Sequence, residues 1–192
     1  MPSSFTKLSF MYVGLKTEQM NNRWTTQQQP MWCWAASIQI MLQTFGVDVS
    51  QQMIVHRTFG SDHWGNLPNK PGGLDVMTAN LNYQGIDRKG RRFRVASMLM
   101  PGAPSSETLI RELSNGRPIL FSYKSRPNMN HAVVCTAVKI VQGSNPRQIE
   151  SIVVRDPWPS EKHIRRKGRL EYNAWPLVQK ATAHWITRVE FL

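Results

Sequence analysis

The sequence predicts an α+β fold in which an N-terminal helical half packs against a C-terminal half built on an antiparallel β-sheet. Helical spacing of apolar residues dominates residues 27–90, and β-branched, mostly apolar runs dominate residues 91–192. At 192 residues, of which 41% are hydrophobic, the chain is long enough to bury a sizeable core. We therefore expect a single domain spanning residues 1–192.

The first predicted helix begins at Cys33 and runs to Phe45. Pro30 lies just before its start, and Gly46 is a favourable C-terminal stop. Its apolar residues recur at steps of three and four, which places them on one face. They are Trp34, Ile38, Met41, Leu42 and Phe45.

The second predicted helix starts after Ser50, whose hydroxyl suits an N-cap, and ends at Gly60. Glycine and proline are frequent in residues 60–73, which predicts a loop. Further helices are predicted over residues 74–83, ending at Gly85, and over residues 106–115, ending at Gly116.

The predicted strands cover residues 93–98, 118–123, 131–141, 149–155 and 184–192, and residues 171–180 are expected to be partly helical. The runs over 131–141 and 149–155 are joined by the short loop 142–148, which favours a hairpin. His131 stands at the start of the first strand, and Asp156 follows the second, where Pro157 disfavours further pairing. An antiparallel hairpin would bring these two residues together.

Cys33 is a candidate nucleophile because the N-terminus of a helix favours the thiolate form of a cysteine. Gln27, six residues upstream, could supply an amide N–H to the same place. The alternative is a buried free cysteine that begins a core helix. A cysteine nucleophile needs a histidine base and a group that orients it, and His131 and Asp156 meet that need.

The chain resembles the papain-like cysteine peptidases. The likeness rests on Gln27, on Cys33-Trp34-Ala35-Ala36 at a helix start, on Asn130-His131-Ala132-Val133, and on Asp156-Pro157-Trp158. It is strongest to the short bacterial branch, which includes staphopain-like enzymes and secreted effector proteases. The order Gln, Cys, His, Asp/Asn and the spacing of six between Gln27 and Cys33 match the family.

The resemblance implies a papain-like fold with a cleft between the two halves. It implies Cys33 as the nucleophile, His131 as the base, Asp156 as the residue that orients the base, and Gln27 as the oxyanion donor. Asp156 stands where papain has asparagine, and the run of three glutamines leaves Gln28 as the alternative donor. No cofactor or metal is implied.

The chain has a second cysteine, Cys135, which lies inside a predicted buried strand. A Cys33–Cys135 disulfide would consume the nucleophile, so we favour an inert core thiol. His56, Asp62 and His63 make a loose metal pattern that lacks the usual ligand spacing, and we discount it. His163 is assigned to a basic loop, and His184 to the start of the terminal strand.

The formal net charge is +12, from 24 Lys and Arg against 12 Asp and Glu. Two clusters concentrate the positive charge, and such patches attract anionic partners, although a solvated face is the simpler interpretation. The clusters are Arg88, Lys89, Arg91, Arg92 and Arg94, and Lys162, Arg165, Arg166, Lys167 and Arg169.

Three functions are compatible with the sequence. The first is a cysteine peptidase that acts on a protein or peptide, as a bacterial secreted effector or toxin with an inhibitor or immunity protein as partner. The second is a related acyl-transfer enzyme: a deamidase, transglutaminase-like enzyme, isopeptidase or peptidoglycan amidase. The third is a non-enzymatic basic binding protein. The N-terminus lacks a secretory signal pattern and no run is apolar enough to span a membrane, so we expect export by a leaderless route or loss of a signal.

Overall fold

The computed structural model describes residues 9–127, 129–143, 148–173 and 180–192. Helices and an antiparallel sheet are both present, as the α+β prediction requires. The helices are α1 (Thr17–Asn21), α2 (Cys33–Thr44), α3 (Gln51–Phe59), α4 (Leu74–Asn80), α5 (Ser106–Ser114) and α6 (Glu161–Arg165). The strands are β1 (Phe10–Gly14), β2 (Tyr83–Ile86), β3 (Arg92–Pro101), β4 (Ile119–Arg126), β5 (Met129–Val141), β6 (Ile149–Arg155), β7 (Arg169–Asn173) and β8 (Ala181–Phe191).

The strands form one antiparallel sheet in the order β2-β3-β8-β4-β5-β6-β7. The long strand β5 is central to it. One edge of β5 pairs with β4 along its first half and with β1 along its second half. The opposite edge of β5 pairs with β6. The hairpin predicted from the sequence is therefore the β5–β6 pair.

Alternation along the strands divides the core into two layers, because successive side chains point to opposite faces. Leu120, Ala132 and Val134 belong to the layer that holds α2, α3 and α4. Phe121 and Val133 belong to the layer that holds α5. The sheet is thus covered on both faces, and α2 is itself buried along most of its length.

Two local predictions are wrong. The helix predicted over 74–83 ends at Asn80, and Tyr83–Ile86 instead forms β2. The reason is tertiary: β2 pairs with β3, and the rings of Tyr83 and Phe93 meet edge to face at 5.3 Å. Residues 171–173 belong to β7, not to a helix, because β7 supplies backbone partners to the outer edge of β6. The rest of that prediction, residues 174–179, lies outside the described residues.

Strand β1 was not predicted, and it pairs with residues 137–141 of β5. Gly14 ends this strand with φ of +140°, and a Cβ there would lie 2.4 Å from the carbonyl oxygen of Thr136. Only glycine permits this close approach of the two backbones.

Candidate active site

The start of α2 lacks the side-chain cap that three other helices have. Serine hydroxyls cap α3, α5 and α6 by accepting a backbone N–H. Trp32 precedes α2 and offers no such acceptor. The first-turn N–H groups of α2, including that of Cys33, therefore remain available to a ligand, since a helix cannot satisfy them internally.

His131 and Asp156 come together at one end of the β5–β6 hairpin. Val134 pairs with Arg155, which places His131 near the start of β5 beside the residue that follows β6. His131 Nε2 and Asp156 Oδ1 are 2.8 Å apart. The backbone N–H of Trp158 donates to the same oxygen at 2.8 Å.

The hydrogen bonds and charges around His131 and Asp156 favour an ion pair between these two side chains. Burial lowers the pKa of His131, but the hydrogen bonds and charges of Asp156 and Cys33 outweigh it and raise that pKa to about 10. Burial raises the pKa of Asp156, but the bond and charge of His131 outweigh it and bring the pKa below its ordinary value. At neutral pH the imidazole is therefore positively charged and faces both an ionised carboxylate and the sulfur of Cys33.

Cys33 and His131 both line a cleft with a volume of about 310 Å³. Cys33 is partly exposed there, and Gln27, Trp158 and Gly73 also line it. Two rings flank the imidazole edge-on: Tyr123 at 5.6 Å and Trp158 at 6.5 Å. The imidazole is thus held between aromatic neighbours while Cys33 stays accessible.

Gln27 is buried and reaches the cleft, whereas Gln28 is exposed and does not line it. Gln51 holds this segment, because its side chain accepts from the N–H of Gln28 and donates to the carbonyl of Thr26. Gln27 Nε2 donates to the carbonyl oxygens of Pro30 at 2.7 Å and Gln29 at 3.1 Å.

Hydrogen bonds to the backbone of Asp156 and Pro157 hold this segment against two other parts of the chain. Trp24 Nε1 donates to the carbonyl oxygen of Asp156, and the N–H of Gln27 donates to that of Pro157, both at 2.8 Å. The N–H of Asp156 donates to the carbonyl oxygen of Gly168 at 2.9 Å. The position of the carboxylate is therefore fixed from both sides.

A buried hydrogen bond sets α2 against β5. Ser37, one turn after Cys33, donates to the carbonyl oxygen of Ala132 at 2.9 Å, next to His131. Ser37 and Ala132 are both buried, so this bond fixes the position of the start of α2, and with it Cys33, relative to His131.

Sequence reasoning missed Ser37, which bonds next to His131, and the neighbours of Asp156, namely Trp24, Gly168 and above all His163. His163 lies on α6, not in a basic loop, and its Nε2 is 3.6 Å from Asp156 Oδ2. The N-cap pattern that starts α6 at Ser160 is present in the sequence. No sequence signal indicates that this short helix would turn a histidine towards Asp156.

The comparisons with known proteins give the family and the fold of this chain. A family model described as the Peptidase_C39 like family matches residues 17–182. The chain belongs to the Peptidase_C39-like family. Two solved structures share the fold. The peptidase domain of Streptococcus ComA, a bi-functional ABC transporter involved in quorum sensing, has a TM-score of 0.52 and 12% identity, and the match covers 88% of this chain and 96% of that one.

The second similar structure is digestive procathepsin L2 proteinase from the larval midgut of Tenebrio molitor. It has a TM-score of 0.55 and 11% identity, and the match covers 91% of this chain and 67% of that one. Among curated proteins, none matches the sequence. Together, the C39-like family and these neighbours show that the chain is a papain-like cysteine protease.

The remaining candidates from the sequence are the second cysteine, a metal site, a membrane span and the basic clusters. Cys33 and Cys135 are both free, and complete burial raises the pKa of Cys135 to about 12. No three metal-binding side chains are grouped within the part of the chain that the structure describes. In the same residues, no helix is long and apolar enough to cross a membrane. Part of each basic cluster is neutralised, for example by the pairs Arg91–Asp87 and Arg169–Glu171.

Proposed function

We propose that this protease hydrolyses peptide bonds with Cys33 as nucleophile, His131 as base, Asp156 as the residue that orients the base, and Gln27 as oxyanion donor. The observation that carries the proposal is the pairing of Asp156 and His131 at 2.8 Å, with His131 lining the same cleft as an accessible cysteine at the start of α2.

The first half of the reaction follows from these positions. The thiolate of Cys33 attacks the carbonyl carbon of the scissile bond, and the carbonyl π electrons move to its oxygen. The N–H of Cys33 and one N–H of Gln27 stabilise that oxyanion. When the oxyanion collapses, the C–N bond breaks and the imidazolium of His131 gives its proton to the departing amine, which leaves a thioester on Cys33.

The second half regenerates the enzyme. Neutral His131 takes a proton from a water molecule that attacks the thioester carbonyl, and the C–S bond breaks to release the acid. Asp156 stays ionised throughout and stabilises the imidazolium whenever it forms. The products are a free amine and a carboxylic acid, and the thiolate of Cys33 and the imidazolium of His131 are restored.

Gln27 must change partners to take part. Both of its Nε2–H groups are occupied by loop carbonyls, and the bond to Gln29, at 3.1 Å, is the longer. We expect this bond to open when substrate binds, because catalytic hydrogen bonds often form only in the complex. Gln28 is less suited, since its side chain does not line the cleft.

The test is hydrolysis of a diverse peptide mixture, with mass spectrometry to detect new termini. Cys33→Ala should abolish cleavage while the protein stays folded, and Cys135→Ala serves as the matched control that should retain it. Release of ammonia from glutamine side chains without chain cleavage would instead indicate a deamidase. Equal activity in the wild type and Cys33→Ala would refute the assignment.

We extend the proposal to a bacterial protease delivered outside the producing cell as an effector or toxin. The support is the resemblance of the Cys33-Trp34-Ala35-Ala36 segment and its surroundings to the short secreted bacterial branch. An inhibitor or immunity protein would then control it in the producer. Recovery of the intact protein from the culture medium, with a cytoplasmic marker absent from that fraction, tests the delivery.

A further inference from the structure

Asp156 lies between two imidazole rings, and only one of them belongs to the proposed triad. Its Oδ1 accepts from Trp158 N–H and pairs with His131. Its Oδ2 faces His163 Nε2 at 3.6 Å. This distance is too long for a direct hydrogen bond but short enough for a charge interaction.

His163 is itself held in place. Its Nδ1 is hydrogen-bonded to the hydroxyl of Ser160, which also caps α6 by accepting the N–H of His163. The side chains of His163 and Asp156 are only 16% and 7% exposed, so solvent screens their interaction poorly. The ring therefore has one fixed orientation, with Nε2 towards the carboxylate.

We infer that His163 is a positioning residue that acts on the reaction through Asp156. It favours the ionised carboxylate and limits rotation of that group, and the carboxylate in turn orients His131. This inference rests on the proposed function, because it assigns His163 to the same catalytic group. It adds a fourth member, in the order Cys33, His131, Asp156, His163.

Among the described residues, charged groups of the β5–β6 hairpin and of α6 lie near His163. Asp156 faces it from the end of β6, and His131 lies beyond that carboxylate on β5. On α6 itself, Lys162 and Arg165 are exposed, and Arg165 pairs with Glu161. Burial raises the pKa of Asp156, the hydrogen bond and charge of His131 lower it, and the Coulomb interaction with His163 is a smaller cause in the same direction.

The test compares His163→Ala and His163→Gln with Lys162→Ala, which removes a positive charge from the same short helix but leaves the contact with Asp156. Carboxyl-carbon NMR of Asp156, which needs no substrate, follows its titration. Imidazoles are protonated at the acidic pH at which carboxylates titrate, so His163→Ala should raise the pKa of Asp156. Lys162→Ala should leave it unchanged.

Turnover gives the second readout. His163→Ala should lower kcat about tenfold with little change in KM, and the loss should grow as the pH falls. His163→Gln keeps a polar side chain at this position but no charge, so it should raise the pKa of Asp156 and lower kcat as His163→Ala does. The inference is overturned if Asp156 titrates alike in the wild type and His163→Ala, or if Lys162→Ala causes the same shift. If His163→Ala raises the pKa of Asp156 as expected but the wild type cleaves no peptide, the result counts against the proposed function alone.

Discussion

Gly168 offers a sharp test of how the fold holds Asp156. It has φ of +65°, and a Cβ there would lie 1.9 Å from Trp24 Nε1 and 2.4 Å from the carbonyl oxygen of Asp156. Those two atoms are hydrogen-bonded to each other. Gly168→Ala must therefore displace Trp24, Asp156 or both.

The expected cost has two parts. Alanine in the left-handed region costs about 1–2 kcal/mol, and overpacking costs about 1–3 kcal/mol more. We expect Gly168→Ala to lose about 2–5 kcal/mol of unfolding free energy in total. Because a small displacement of Asp156 moves the imidazole that it orients, turnover should fall about 10- to 100-fold.

Gly116 provides the matched control, with φ of +68° and no atom within 4 Å of its would-be Cβ. Gly116→Ala should lose only the cost of placing alanine in the left-handed region, about 1–2 kcal/mol of unfolding free energy, and should keep wild-type turnover. Urea unfolding followed by tryptophan fluorescence gives the free energies, and peptide hydrolysis gives turnover. Equal losses of stability in the two variants, with normal turnover in both, would show that this packing does not position Asp156.

Three further predictions concern the site. Gln27→Ala should lower turnover about 100- to 1,000-fold. It should leave the rate of Cys33 alkylation nearly intact, because alkylation forms no oxyanion. Asp156→Ala should lower both rates. Ser37→Ala should remove a buried hydrogen bond, cost about 0.5–1.5 kcal/mol in urea unfolding and lower turnover, and an unchanged unfolding midpoint would contradict the role given to this bond. Cys135→Ala should keep activity and lose about 1 kcal/mol, and loss of activity in this folded variant would instead favour a functional disulfide.

The features that are predictable from the sequence are those with local signals. The start of α2 at Cys33 and the Ser50 cap of α3 depend on neighbouring residues, and the structure confirms both. The β5–β6 hairpin is predictable because its two strands are adjacent in the chain. This hairpin makes His131 and Asp156 a reasonable pair from the sequence alone.

The features that were missed depend on distant partners. β1 pairs with a strand more than a hundred residues away. The predicted helix extends to Tyr83, the first residue of β2, because the pairing of β2 with β3 has no local sequence signal. The contacts of Asp156 with Trp24 and His163 likewise join separate segments. Local periodicity carries no information about such contacts, which tertiary packing decides.

The most direct test of the central claim is the rate at which iodoacetamide alkylates Cys33 at about pH 6. An unassisted thiol, with a pKa of ~8.5, reacts slowly there because little of it is ionised. The raised pKa of His131, about 10, keeps the imidazole charged, so wild-type Cys33 should react fast. His131→Ala should slow the reaction at this pH, and the two rates should converge as the pH rises above the ordinary thiol range. Equal rates at about pH 6 would contradict the Cys33–His131 ion pair.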